Sequence, residues 1–301
     1  MAGTIAQAAA MRGVVIGAGE AQNGNFGGVC HAAPRPDGAI TLMTRTFSLL
    51  AATGLIALGA CQTAPEAQSG FLQSYAGLAV PGQSLRASVL QRRDDDGAAR
   101  IERVFIAPSV LIDGAGAGLA EVDRARVLRE VDRQVCYEVS ERFTVIAAPA
   151  ADAATIRAAV VRIGATGQAG SVAAATANFF IPGPVGVRVP GATGGLAAEA
   201  ELLGPDASQV AAILWARNAT VVGMDAPSLS RVGDALQFAE PFGDAVGDAF
   251  SPPDRKPRSI AQPDPCEAFG PRFSPAGLVA GFATGLYVPE LSGGKTPDET
   301  Q

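Results

Sequence analysis

Histidine is almost absent from this 301-residue sequence, in which His31 is the one example. Every chemistry that needs an imidazole therefore depends on whether His31 belongs to the folded protein. Basic residues are also scarce: 23 lysines and arginines face 29 aspartates and glutamates, which gives a net charge of -6. An acidic chain has little electrostatic attraction for phosphate backbones, so nucleic-acid binding is not expected.

Long apolar runs are lacking as well, since the longest is too short for the roughly 20 residues that span a bilayer. This run follows Met43 and Arg45 and leads into small residues, which is the layout of a secretory signal peptide. It ends in Leu58-Gly59-Ala60-Cys61, which resembles the lipobox of bacterial lipoproteins. The alternative is a short core helix that happens to end in cysteine.

The lipobox resemblance implies that residues 43–60 are a lipoprotein signal peptide. Cys61 would then be the first residue of the mature chain and would carry acyl groups such as palmitate, which anchor a protein through buried methylenes. Because Gln62 rather than aspartate follows, the sorting pattern of Gram-negative bacteria implies the outer membrane and its periplasmic face. Residues 1–42 are then interpreted as an upstream extension produced by a misplaced start codon.

Cleavage before Cys61 would remove His31, and the mature chain would contain no histidine. Catalysis by Ser-His-Asp or Cys-His groups and metal binding through histidine would then be excluded. A site made of cysteine alone is excluded too, since acylation of Cys61 leaves only Cys136 and Cys266. We therefore predict no catalytic residues, no metal site and no cofactor.

Cys136 and Cys266 are an even pair in an oxidising compartment, which favours a disulfide. The bond would tie a Pro- and Gly-rich tail, residues 251–301, to the domain, leaving the chain end mobile. The alternative is two separate buried thiols.

A motif follows the short lipidated tether, residues 61–69. Its sequence is Ser69-Gly70-Phe71-Leu72-Gln73-Ser74-Tyr75-Ala76-Gly77-Leu78. Together with the lipobox, it resembles a bacterial lipoprotein family catalogued as domain of unknown function 3313, over roughly residues 61–250. The resemblance implies an outer-membrane or periplasmic lipoprotein without an assigned activity. Phe71, Leu72, Tyr75 and Leu78 have helical spacing, which favours docking of the tether on the domain; a partner-binding hook is the alternative.

The pattern of residues 70–250 predicts one α+β domain. Apolar stripes predict helices over about 119–142 and 234–250. Alternating and β-branched segments predict strands at 103–107 and 143–147, followed later by a hairpin of 197–203 with 209–217. The family resemblance implies a further strand at 155–163, where the alanines leave a helix open. We expect a sheet of about five strands, mostly antiparallel, with the two helices packed on one face.

Several side chains are candidates for function. Phe179 and Phe180 lie in a Gly- and Pro-rich stretch, 164–196, whose composition is typical of a long loop; they are either buried or available to a partner or membrane. Glu199 and Glu201 share one face of a strand, where a solvated surface is favoured over an acid/base pair. Asp244 and Asp248 are also expected to be solvated.

These observations favour a binding or assembly module with an envelope protein partner. Two alternatives remain open. A carrier of a lipid or another apolar ligand would need an apolar cavity between the helices and the sheet. A carboxylate-based envelope hydrolase would need Glu199 and Glu201, or Asp244 and Asp248, to line a cleft.

Overall fold

The computed structural model describes residues 63, 66–82, 86–180, 185–272 and 274–291, all within one structural unit. The predictions made for residues 1–60, for acylation of Cys61 and for the chain end after 291 lie outside these residues.

Nine strands form in the described part of the chain. In chain order they are β1 (Ala87–Arg93), β2 (Arg103–Ile106), β3 (Val110–Leu111), β4 (Thr144–Ile146), β5 (Ala154–Gly164), β6 (Gly186–Val187), β7 (Gly195–Leu203), β8 (Gln209–Asn218) and β9 (Val222–Gly223). The same part of the chain forms five α-helices. They are α1 (Asp95–Arg100), α2 (Glu121–Ser140), α3 (Gln168–Asn178), α4 (Gly233–Phe250) and α5 (Pro275–Thr284).

Seven of these strands form one mixed sheet in the order β1-β8-β7-β5-β2-β4, with β3 also paired to β5. The α+β class was predicted, but the description of about five mostly antiparallel strands was wrong. β2 runs parallel to both β4 and β5, and β3 runs parallel to β5. Helix α2 provides the long crossover that parallel β2 and β4 need. The two strands of this sheet that were not predicted are β1, in which charged and polar residues interrupt the alternation, and the two-residue β3.

The core lies between one face of this sheet and helices α2 and α4. In α2, Val131, Val135 and Val139 of the predicted stripe are buried, whereas Val122 at its start is 52% exposed. In α4, the buried ridge includes Phe238 and Phe242, although Pro241 lies inside the helix. Each large apolar side chain buried in this way contributes about 1.5–3 kcal/mol.

The stretch 164–196 is not the continuous loop that was expected. Helix α3 occupies 168–178, where alanines and serine support a helix without an apolar stripe. The short strand β6 follows and pairs with β9 in a second, two-stranded sheet.

The tail after α4 is docked on α2. Cys136 and Cys266 form the predicted disulfide, with Cα atoms 6.0 Å apart. Next to this bond, the Arg272 guanidinium donates to the Tyr137 carbonyl (3.1 Å) and to both carboxylate oxygens of Asp264 (2.8 and 2.9 Å). The hydrogen bonds with Arg272 hold the pKa of Asp264 below its ordinary value.

Candidate functional site

Glu199 and Glu201 lie in the centre of the sheet, on the face opposite to the helices, because they alternate with the core residues Ala198, Ala200 and Leu202. The prediction that this face is solvated was wrong: both side chains are 0% exposed. They are covered by residues 66–79, which we call the strap. A buried carboxylate needs hydrogen-bond donors, and the strap supplies several of them.

The strap holds Glu199 through three hydrogen bonds. The Ser69 amide (2.9 Å), the Ser69 hydroxyl (2.8 Å) and the Tyr75 hydroxyl (2.6 Å) all donate to its carboxylate. The Tyr75 oxygen in turn accepts from the Gly70 amide (2.8 Å) and the Leu72 amide (3.3 Å). These bonds explain why the motif combines serine, glycine and tyrosine in this order.

Glu201 is held by both the strap and the sheet. It accepts from the Gln73 amide (2.9 Å), from the Gln209 side chain (2.8 Å) and from Nε of Arg157 (3.0 Å). The Arg157 guanidinium also lies 5.0 Å from the centre of the Phe71 ring. The strap is irregular rather than helical, so the helical spacing was a wrong guide to its conformation. Docking itself is observed, since Leu72 is buried.

Thr63, which precedes the strap, is bonded to one end of the sheet. The Thr63 hydroxyl accepts from the Asn218 amide (3.0 Å) and donates to the Arg86 carbonyl (3.0 Å), where β8 ends and β1 begins. Glu66 then pairs with Arg162 at 2.8 Å. Cys61 lies outside the described residues, but two residues can span at most about 7 Å. The first described residue after the lipobox is therefore bonded to this end of the sheet.

Phe179 and Phe180 follow α3 at the same end of the molecule. They are 85% and 77% exposed, so the alternative in which they are buried was wrong. Their rings contact each other edge to face, with centroids 5.4 Å apart. The side chain of Asn178 joins α3 to β6, since it accepts from the Val187 amide at 2.7 Å.

A polar cleft of about 680 Å³ lies over α2 and α4. Three arginines line it, Arg133, Arg217 and Arg272. Arg133 is almost fully buried and donates to Glu130, while its Nε and Nη1 have no hydrogen-bond partner in the described residues. Burial raises the pKa of Glu130, and partial desolvation by the cleft walls raises that of Glu240, whose side chain remains exposed. The cleft therefore combines arginine donors with carboxyls whose pKa is raised. No pattern in the sequence indicated that these residues meet.

Asp244 also lines this cleft and is exposed, as expected, and it shares a hydrogen bond with Glu138 of α2. Burial, then the charges of Asp244 and Glu141, raise the pKa of Glu138 to about 7, against the opposing effect of Arg142. Asp248 is exposed and forms an ion pair with Arg142. The two aspartates thus have different partners and form no pair with each other.

We expect the Glu138–Asp244 pair to make the free energy of unfolding decrease as the pH rises from about 4.5 to about 7. The folded state keeps the Glu138 proton over this range, while the unfolded chain releases it. Urea unfolding at several pH values measures this slope. Glu138→Gln, which keeps a donor to Asp244 without a titrating proton, should flatten it, and an unchanged slope in this variant would contradict the assignment.

An apolar groove of about 410 Å³ lies at the edge of the sheet, lined by Phe105, Ile146 and Phe269 among others. Asp132 and Cys136 of α2 line it together with β2, β4 and the tail, so it lies between one helix and the sheet edge rather than beneath both helices. Within the described ranges, no cluster of three metal-ligating side chains occurs, and no helix is long and apolar enough to cross a membrane.

A sequence model of the family described as "Protein of unknown function (DUF3313)" matches residues 67–246, which is more than half of the chain. The match begins in the strap and ends in α4. No curated protein matches the chain.

Among solved structures, two forms of the PelC dodecamer from Paraburkholderia phytofirmans are similar to parts of the chain. One form, a leucine-to-methionine variant, is 10% identical and covers 56% of this chain and 99% of its own, with a TM-score of 0.33. The second form is 12% identical, with coverages of 57% and 99% and the same TM-score. At this score the folds correspond only loosely.

Proposed function

We propose that the chain, which belongs to the DUF3313 family, is an outer-membrane lipoprotein whose domain faces the periplasm and binds an envelope protein partner. The lipobox Leu58–Cys61 supports the anchor. The observation that carries the proposal is the strap. Thr63 is bonded to the sheet two residues after Cys61, and Ser69, Gln73 and Tyr75 fix the chain on buried carboxylates. The domain would be held directly at the membrane rather than on a free tether.

The positions of the carboxylates favour binding over hydrolysis. A retaining or inverting glycosidase needs two carboxyls about 5–10 Å apart across an open substrate site. Glu199 and Glu201 are buried beneath the strap. Asp248 pairs with Arg142 and does not line the cleft with Asp244. Neither of these two carboxyl pairs therefore lines an open cleft with both of its members.

The polar cleft is the surface that suits a partner. Its arginines bind carboxylates and carbonyl oxygens in fixed geometry, and its carboxyls accept from donors. A polar protein segment that carries acidic and amide groups would fill both roles. Such a segment would also satisfy the buried nitrogens of Arg133 if the side chain turned toward it.

The test places a photo-crosslinking residue at Glu240, which is exposed in the cleft, and compares the protein with its Cys61→Ser variant in Gram-negative cells. The intact mass of the membrane-extracted protein should show cleavage before Cys61 and added acyl groups. Cys61→Ser should lower the ratio of membrane-bound to soluble protein by at least about tenfold, since each buried methylene contributes about 0.8 kcal/mol. The crosslinker at position 240 should form one discrete adduct with a partner protein. The yield of this adduct should be lower in the Cys61→Ser variant.

The matched control carries the crosslinker at Asp254, an exposed position outside the cleft. Equal adducts at Glu240 and Asp254 would remove the support for the cleft as the binding surface. A Cys61→Ser protein that remained processed and membrane-bound would contradict the anchor.

A further inference from the structure

We propose that the apolar end of the domain, formed by α3 and the β6–β9 pair, inserts into the interface of the bilayer that holds the acyl chains of Cys61. The side chains concerned are Phe179, Phe180, Val185 and Val222. This inference rests on the proposed lipid anchor and adds a second membrane contact, made by the folded protein itself.

The first observation is exposure. Phe179, Phe180 and Val222 are 85%, 77% and 58% exposed, and Val185 is 49% exposed. An open apolar hollow runs between the two phenylalanines, Val172 of α3 and Leu229. Large apolar side chains that are grouped in this way on a surface mark a contact with a partner or a membrane.

The second observation is the absence of charge. No ionisable side chain occurs in the sequence from Gln168 to Val187. The first one after it, Arg188, is buried against Asp234. A protein partner would usually meet a polar rim around an apolar centre, whereas a bilayer interface accepts an uncharged segment at little desolvation cost. Exposed Arg86, which contacts Thr63, lies where anionic headgroups would be.

The third observation is the position of the anchor, which decides what covers this end. Thr63 is bonded to Asn218. Cys61 lies at most about 7 Å further along the chain, and Val222 is four residues beyond Asn218, within about 14 Å. The acyl chains of the proposed anchor would therefore leave the same end of the sheet as the apolar end. A bilayer that holds the acyl chains would therefore be within reach of the apolar end.

The lipidated protein, with a single labelling cysteine, tests the inference in vesicles of phosphatidylethanolamine and phosphatidylglycerol. An environment-sensitive fluorophore is attached in Phe180→Cys and in Val222→Cys. The control is Pro205→Cys, in the exposed β7–β8 turn about 30 Å away at the other end of the strands. A lipid with a quencher on its acyl chain is then added.

We expect blue-shifted emission at positions 180 and 222, and at least about twofold stronger quenching there than at 205, as a segment lying 5–10 Å deep would show. Unchanged unfolding midpoints would show that the variants fold. A lipidated, vesicle-bound protein whose label at 180 stays in water would overturn this inference alone. Blue-shifted emission without quenching would mean that protein covers the patch, which also overturns it. If the protein extracted from Gram-negative membranes carried no acyl groups at Cys61, the proposed anchor would be overturned, and this inference with it.

Discussion

Replacement of Asp234 by alanine is expected to lower the free energy of unfolding by about 3–5 kcal/mol, because it leaves a buried guanidinium without its counter-charge. Asp234 is fully buried at the start of α4. Its carboxylate accepts from Nη1 and Nη2 of Arg188 at 2.8 and 2.9 Å, in a bidentate pair. It also accepts from the Gly194 amide (2.6 Å) and the Thr166 hydroxyl (3.1 Å). One carboxylate thus joins α4 to the chain segments on both sides of α3 and β6.

Chemical denaturation of the purified protein measures this effect. For a domain of this size, the melting temperature should fall by about 2–4 °C for each kcal/mol lost. Asp248→Ala is the matched control, since Asp248 pairs with Arg142 but is 73% exposed, and exposed pairs contribute at most about 1 kcal/mol. If the two variants lost equal stability, Asp234 would not have the central role that its contacts indicate.

Loss of the Glu199 carboxylate should free the strap. Glu199→Ala removes the acceptor of Ser69 and Tyr75, and hydrogen bonds to a charged group contribute about 1.5–3 kcal/mol each. Cleavage by protease between residues 66 and 79 should therefore become at least about tenfold faster, since about 1.4 kcal/mol corresponds to each factor of ten in opening.

A double-mutant cycle of Glu199→Ala with Tyr75→Phe isolates the contact between the two side chains. We expect a coupling energy of about 1.5–3 kcal/mol, as measured by denaturation. Gln73→Ala serves as control: its side chain is exposed and bonds only to the Ala207 carbonyl among the contacts described, so it should change stability by less than about 0.5 kcal/mol. Additive effects of the Glu199 and Tyr75 variants would show that the strap is not held by this bond.

The sequence correctly predicted the elements that bury only one face against the rest of the protein. The valines of α2 and the aromatic ridge of α4 repeat at helical spacing because a single surface, the sheet, covers them. The long strands β5, β7 and β8 were also predicted, to within a few residues. The parallel pairing of β2 with β4 was not predicted, because it depends on how α2 crosses the sheet rather than on any pattern within the strands.

The candidate site shows a different limit. The alternation of Glu199 and Glu201 with apolar residues correctly placed them away from the helices, but a sequence pattern cannot tell a solvated face from one covered by a segment 130 residues earlier. The motif around Tyr75 was the available signal, and its docking was expected, but its acceptors were not. The three arginines of the polar cleft come from α2, β8 and the tail, so no local spacing brings them together.

The tail runs back to the hollow beside α3, and this affects where the protein can be tagged. The Ser228 hydroxyl donates to the Tyr287 carbonyl at 2.9 Å, and Leu286 lines the same hollow as Phe179. A fluorescent protein fused directly after Leu291 would therefore be attached near the hollow that Phe179 lines and would compete with the proposed membrane contact for space. Epitopes inserted in the Gly204–Ser208 turn, at the opposite end of the strands, avoid that crowding.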